Sequence, residues 1–307
     1  MRKLAFLALL LVASTLFAGE EAPIGTLVDI GGRKLHIVCM GSGTPTVVFE
    51  SGAAEGFYTW WMVQQQLRGE MRTCSYDRAG FGWSDPPPAR SVAGYVEDLH
   101  TLLAKAGEKP PFLLVGHSFG GTIVQRYYWR YPKDVAAIIG VDPSNAEADF
   151  APFPAYKEAA KAHRTRRIKE MEEWRAKDNW PPQSFPDELP EDLREKLIAK
   201  SPSRNWWEAR FGEGDLPDGK ISLSPEQRKI GVPLWIITAT AATQPSGWSQ
   251  ETFDAWREHI RRMHDELVSR SARGKRIDAP TSHSAQLDAP DFVADQIRAM
   301  ARLLSGT

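Results

Sequence analysis

Cysteine is scarce: Cys39 and Cys74 are the only two in 307 residues. A framework of several disulfides is therefore excluded, and neither residue sits in a C-x-x-C or Cys/His zinc spacing. In an oxidising compartment the two could join each other; otherwise they serve as small buried hydrophobes. An apolar run long enough to span a bilayer, about 20 residues, is missing too. The run Leu4–Ala18 has 15 residues and is broken by Ser14 and Thr15. Nor is there an excess of charge of one sign, with 38 Lys+Arg against 39 Asp+Glu and a net charge of −1. That balance excludes the basic footprint with which nucleic-acid binders neutralise phosphates. No G-x-G-x-x-G loop, metal-ligand cluster, internal repeat or low-complexity tract occurs, so no cofactor and no metal is expected.

What is present is an ordinary globular composition, 42% hydrophobic and 25% charged, with an unusual 11 Trp. Large aromatics bury much area and often line apolar pockets. Arg2 and Lys3, the run Leu4–Ala18, and then Glu20 and Glu21 have the layout of a secretory signal. Residues 1–18 are read as that signal, with cleavage after Ala18; an uncleaved membrane anchor is the alternative. Removing Arg2 and Lys3 takes the net charge from −1 to −3. The mature chain is expected to be secreted or periplasmic, without stable membrane association after cleavage.

Residues 19–143 alternate strand and helix patterns. Thr26–Ile30 and Lys34–Met40 flank the Gly31-Gly32 turn as a hairpin, and Thr46–Glu50 is a β-branched run. Trp60–Leu67 is expected to be helical, Met71–Tyr76 a strand and Val92–Lys105 a helix. Phe112–Val115 and Val135–Val141 read as strands buried on both faces, around a helix Phe119–Tyr131 stopped by Pro132. Short connections in this order imply a parallel sheet with helices on both faces. Residues 144–231 are charged and strand-poor, with helical patterns over Pro154–Lys177 and Pro190–Lys200 and four Trp. They are expected to form a helical cap inserted in the sheet domain. Residues 232–307 resume the alternation: strand Val232–Thr238, helix Glu251–Ser269, strand Gly274–Ala279, helix Asp291–Leu304.

Between the buried strand and its helix lies Gly116-His117-Ser118-Phe119-Gly120-Gly121, a G-x-S-x-G pattern. A tight strand-to-helix turn of this kind thrusts the serine out above the sheet edge, and small residues on either side let the backbones approach. The following N–H, from Phe119, sits at a helix N-terminus that favours an anion. A serine hydroxyl needs a base. His117 is read as structural, and His36, His100, His163, His259 and His264 fall on a strand or on helices. His283 follows the strand Gly274–Ala279 in a loop, at the sheet edge expected for Ser118, and is the candidate base. The candidate acid is Asp142, at the end of Val135–Val141; the loop after Val232–Thr238 holds no acid before Glu251, so Glu251 and Asp254 are the fallback. A second oxyanion donor is expected from the loop Ser51–Gly56, with Ala53 N–H the candidate beside that of Phe119.

The order of elements and four segments resemble the α/β-hydrolase superfamily: Glu50–Gly52, Tyr76–Asp85, Gly116–Gly121 and Ser282–Pro290. The resemblance implies a mostly parallel eight-stranded sheet with a lid after the sixth strand. It also implies that Cys39 and Cys74 lie on neighbouring strands, where they can pair. There are two departures: Ser51-Gly52 stands where the family usually has His-Gly, and no acid follows the seventh strand. Some members of the superfamily place the triad acid where Asp142 stands. Similar epoxide hydrolases and dehalogenases attack with Asp, so Ser118 points instead to acyl transfer. The expected activity is hydrolysis of carboxylic esters with small or apolar acyl groups, through an acyl-enzyme. A peptidase or lactonase on the same triad, and a non-catalytic binding protein on the same fold, are the alternatives.

Overall fold

Buried β-branched runs build the centre of the molecule, seen here in a computed structural model that describes residues 23–145, 147, 153–213, 216 and 223–306. The expected signal, residues 1–18, lies outside the described residues. The first unit comprises β1 (Thr26–Asp29), β2 (Lys34–Met40), β3 (Val47–Glu50), α1 (Trp61–Leu67), β4 (Thr73–Tyr76) and α2 (Val92–Lys105). Next come β5 (Phe112–His117), α3 (Phe119–Arg130) and β6 (Val135–Val141). Between β6 and β7 (Leu234–Ala239) stand α4 (Pro154–Lys177), α5 (Glu191–Lys200) and α6 (Arg204–Gly212). The chain then forms α7 (Gln250–Ser269), β8 (Gly274–Ala279), α8 (Ala285–Asp288) and α9 (Pro290–Ser305).

These elements form one eight-stranded sheet in the order β1-β2-β4-β3-β5-β6-β7-β8. The β1–β2 and β2–β4 pairs are antiparallel and every other pair is parallel, as the alternation of elements implies. Period-two alternation sorts the side chains. Val48, Leu114, Ile138 and Ile236 face α2 and α3, together with Leu267 of α7. Phe49, Val115, Ile139 and Ile237 face α1 and α9, against Trp60, Val63, Val293 and Ile297. Both faces are thus covered, as a parallel sheet requires.

Local chemistry sets the element ends. Ser91 Oγ accepts the Gly94 N–H to start α2, and Ser249 Oγ accepts the Thr252 N–H to start α7. Pro290 opens α9, and Gly306 closes it at φ 72°. Two helices had no expectation in the sequence, α6 and α8. Helix α6 carries adjacent Trp206 and Trp207 among charges and shows little amphipathic contrast, although Ser203 caps it through the Trp206 N–H. The strand expected over Phe112–Val115 extends to His117, because its pairing with β6 continues to His117↔Val141.

Antiparallel register sets Cys39 opposite Cys74 with Cα atoms 4.1 Å apart, and the two form a disulfide. The inserted segment packs Phe185, Leu189, Leu193, Leu197 and Trp206 against Val38, Phe57 and Tyr58 of the sheet domain.

Candidate active site

The turn after β5 shows why small residues stand there. A Cβ added to Gly116 would meet the Gly120 carbonyl oxygen at 2.6 Å, and one on Gly120 would meet that of Glu50 at 2.4 Å. No side chain larger than hydrogen fits such approaches. Between them Ser118 holds φ 48°, a conformation that residues with a Cβ rarely adopt. The surroundings impose it: Ser118 N–H donates to the Val141 carbonyl, and the Ser118 carbonyl accepts the N–H groups of Gly121 and Ser144. Phe119 is the first residue of α3, so its N–H has no acceptor within the helix and faces the anion-favouring end of the dipole.

Asp142 follows β6 at φ 41°, with its N–H on the Ile237 carbonyl. Its Oδ1 accepts the Ala239 N–H at 3.0 Å, and its Oδ2 accepts from His283 Nδ1 at 2.6 Å. The structure therefore joins the expected base to the expected acid, 141 residues apart in the chain. Glu251 and Asp254 instead lie in the first turns of α7, where Asp254 accepts from Gln250. The His283 side chain is 55% exposed; partial desolvation of the ring would lower its pKa, but the Asp142 hydrogen bond and charge, with Glu55 adding, raise it above the ordinary histidine value. No hydrogen bond joins the Ser118 hydroxyl to the His283 ring. His117, the residue before Ser118, has its ring centroid 4.7 Å from that of His283, and its Nε2 donates to the His283 carbonyl at 2.9 Å. Such bonds commonly tighten only once substrate is bound.

His117 is buried, as a structural role requires, and its Nδ1 meets Glu55 Oε2 at 3.1 Å. Glu55 was not singled out by the sequence. It also accepts the Gly52 N–H at 2.9 Å. Against burial, the charge and hydrogen bond of His117 and the Gly52 N–H hold its carboxyl below the usual range. His264, on α7, is buried too. It donates from Nε2 to the Pro143 carbonyl at 3.1 Å and accepts from Thr238 at 2.9 Å, fixing the turn that carries Asp142. Burial chiefly lowers its pKa, so it sits neutral.

Ala53 is exposed on the loop leaving β3, and its N–H has no partner among the described residues. One cavity of about 220 Å³ includes Asp142, Ala239, Trp256 and His283. Another of about 420 Å³ includes Ala53, Ala54 and Glu55 with Gln183, Trp207 and Arg210 of the inserted segment. The tryptophans of that segment mostly pack within it. Trp206 is buried against Phe81 and Phe185, while Trp174 contacts Trp180, Trp207 and Phe211. Trp207 alone among these four lines the larger cavity.

Residues 45–184 match the family described as alpha/beta hydrolase fold. The chain is 36% identical over 123 residues to the uncharacterized protein YbdG of Bacillus subtilis, covering 38% of this chain and 37% of YbdG. It is 33% identical over 129 residues to the uncharacterized protein YqjL of the same organism, covering 42% of this chain and 50% of YqjL. The chain thus spans half or less of the length of these curated relatives. Among solved structures it resembles the carboxylesterase CesB of Bacillus subtilis, at a TM-score of 0.63 and 17% identity, over 90% of each chain. At that identity the likeness speaks to the fold, and it agrees with the strand order and the crossovers described above. The eight-stranded, mostly parallel sheet has the α/β-hydrolase fold, and the family match covers β3 to β6 and the first part of the inserted segment.

Proposed function

We propose that this protein is an exported serine hydrolase that cleaves carboxylic esters through an acyl-enzyme. The observation that carries the reading is the 2.6 Å bond from His283 Nδ1 to Asp142, at the sheet edge where Ser118 is held at φ 48°. With Nδ1–H committed to the carboxylate, Nε2 is the nitrogen left to accept a proton. Ser118 Oγ attacks the acyl carbon while His283 takes its proton, and Asp142 stabilises the imidazolium that forms. The raised His283 pKa suits that step, because it favours the protonated ring. The oxyanion is received by the N–H groups of Phe119 and Ala53. The protonated His283 returns its proton to the leaving alcohol, and a water activated by the same ring releases the acid. The carboxylesterase among the structural neighbours is consistent with this chemistry. Export is supported by the layout of residues 1–21 and by the disulfide. The inserted segment is assigned the role of a cap.

The test is turnover of a panel of short-chain p-nitrophenyl esters, lactones and aminoacyl amides by the mature protein. Esters are expected to be the best substrates, and Ser118→Ala is expected to abolish turnover while leaving thermal unfolding unchanged. Preferential turnover of lactones or amides would replace the ester assignment. Full activity in Ser118→Ala would remove the serine mechanism.

A further inference from the structure

The segment between β6 and β7 reaches the loop leaving β3 and grips one residue there from two sides. The Ala54 N–H donates to Glu213 Oε2 at 2.6 Å, across 159 positions of sequence. Arg210 Nη1 donates to the Ala54 carbonyl at 2.8 Å. Ala54 holds φ 64°, a conformation that a residue with a Cβ keeps only where its surroundings impose it.

Glu213 is itself fixed. Arg78 donates to it from Nε at 2.7 Å and from Nη2 at 3.0 Å, a two-pronged contact that sets orientation as well as distance. The same guanidinium donates to the carbonyls of Ser51 at 2.7 Å and Gly52 at 2.6 Å, and to Glu50 at 2.7 Å. The Arg78 and Glu213 side chains are each 1% exposed. Burial would lower the Arg78 pKa, but Glu213 and Glu50 hold it well above the ordinary value, so it remains a cation.

The loop's polar groups are thereby largely committed. The carbonyls of Ser51, Gly52 and Ala54 accept from arginines, the Gly52 N–H goes to Glu55, and the Ala54 N–H goes to Glu213. The Ala53 N–H is left over among the described residues, and it is the donor assigned to the oxyanion. A buried ion pair contributes little net stability relative to an apolar replacement, whereas it fixes geometry well.

We propose that Glu213 and Arg210 are positioning residues. They hold the Ala53–Ala54 peptide from the inserted segment, so the oxyanion site is complete only while the end of α6 is seated on the core. This rests on the serine-hydrolase reading above. The inserted segment then governs rate as well as access.

The test compares wild type, Glu213→Ala, Glu213→Gln, Arg210→Met and a control, Arg175→Met, which removes an exposed pair with Glu208 on the same segment. Steady-state hydrolysis of p-nitrophenyl butyrate is measured with inhibition by phenylboronic acid, whose tetrahedral adduct draws on the oxyanion donors. Glu213→Ala is expected to lower kcat about 10- to 100-fold with KM changed by less than about twofold, and to weaken the boronate by a similar factor. Glu213→Gln keeps one acceptor oxygen where Glu213 offers two to its three donors, the Ala54 N–H and Nε and Nη2 of Arg78, and is expected to lose about tenfold. Arg210→Met is expected to lower kcat, and Arg175→Met to match wild type. If Glu213→Ala does not fold, Glu213→Gln and Arg210→Met decide. Unchanged kcat in folded Glu213→Gln and Arg210→Met, or a fall in kcat without weaker boronate binding, overturns the proposal. Wild type that is labelled at Ser118 by a fluorophosphonate while the variants match it in rate refutes this proposal alone. Wild type that neither labels nor turns over refutes the underlying reading and this proposal with it.

Discussion

Asparagine at position 142 would keep the shape of the side chain and remove its charge. The carboxylate now serves two donors, the Ala239 N–H on Oδ1 and His283 Nδ1 on Oδ2. In Asp142→Asn only one of those positions is an oxygen. A backbone N–H cannot become an acceptor, so the oxygen stays with Ala239 and the amide NH₂ turns toward His283. Nδ1 must then accept, and the ring proton moves to Nε2, the nitrogen required to receive the serine proton. That tautomer cannot act as the base, and the expected loss is about 10⁴ in kcat, or roughly 5.5 kcal/mol of barrier. The pH profile adds a second reading. Despite partial desolvation of the ring, Asp142 and Glu55 hold the wild-type imidazole protonated to higher pH than usual, so activity should fall as pH drops through a point above about 6.5. In the variant the residual activity should have its acid limb displaced to lower pH, because the charge that raised the pKa is gone. The assay is kcat/KM for a p-nitrophenyl ester from pH 5 to 9. An Asp142→Asn variant within tenfold of wild type, beside an inactive Glu251→Gln or Asp254→Asn, would refute the reasoning.

Gly120→Ala should destabilise the fold by about 1–3 kcal/mol or more, because its Cβ would lie 2.4 Å from the Glu50 carbonyl oxygen, and that oxygen is backbone that cannot swing away. Urea unfolding of the variant against wild type measures this. Reduction of the Cys39–Cys74 disulfide, which closes a loop over a sequence separation of 35, should cost about 4 kcal/mol, read as a lower urea midpoint in dithiothreitol and reproduced by a Cys39→Ser, Cys74→Ser double variant.

What the sequence disclosed was local. The elbow could be read because strand, serine, glycines and helix follow one another in the chain, and the glycines prove to stand where 2.6 Å and 2.4 Å approaches leave no room for a Cβ. Asp142 and His283 could be placed because each follows a strand, directly for Asp142 and in the next loop for His283, and parallel strands bring their carboxyl ends to one edge. The Cys39–Cys74 bond depended on the β2–β4 register, which spacing alone does not reveal. Glu55, alone in a loop of small residues, carries no local mark of its His117 partner, and Glu213 was missed for a different reason. A carboxylate in a charged stretch looks solvated, and nothing local marks Glu213 as the partner of Arg78, 135 residues earlier, or of the Ala54 N–H. Positive φ at Ala54 was equally invisible, since alanine is not among the glycine, asparagine and aspartate residues that usually signal it. The tryptophans suggested a lined pocket; in the inserted segment Trp174 packs against Trp180 and Trp207, and of its four only Trp207 lines the larger cavity.

The most direct measurement is labelling of the folded protein with a fluorophosphonate, followed by peptide mapping of the adduct by mass spectrometry. A single phosphonylated residue at Ser118, with labelling lost in Ser118→Ala and slowed in His283→Ala, is the predicted result. A folded wild-type protein that takes up no label, or one labelled as readily after Ser118→Ala, would contradict it.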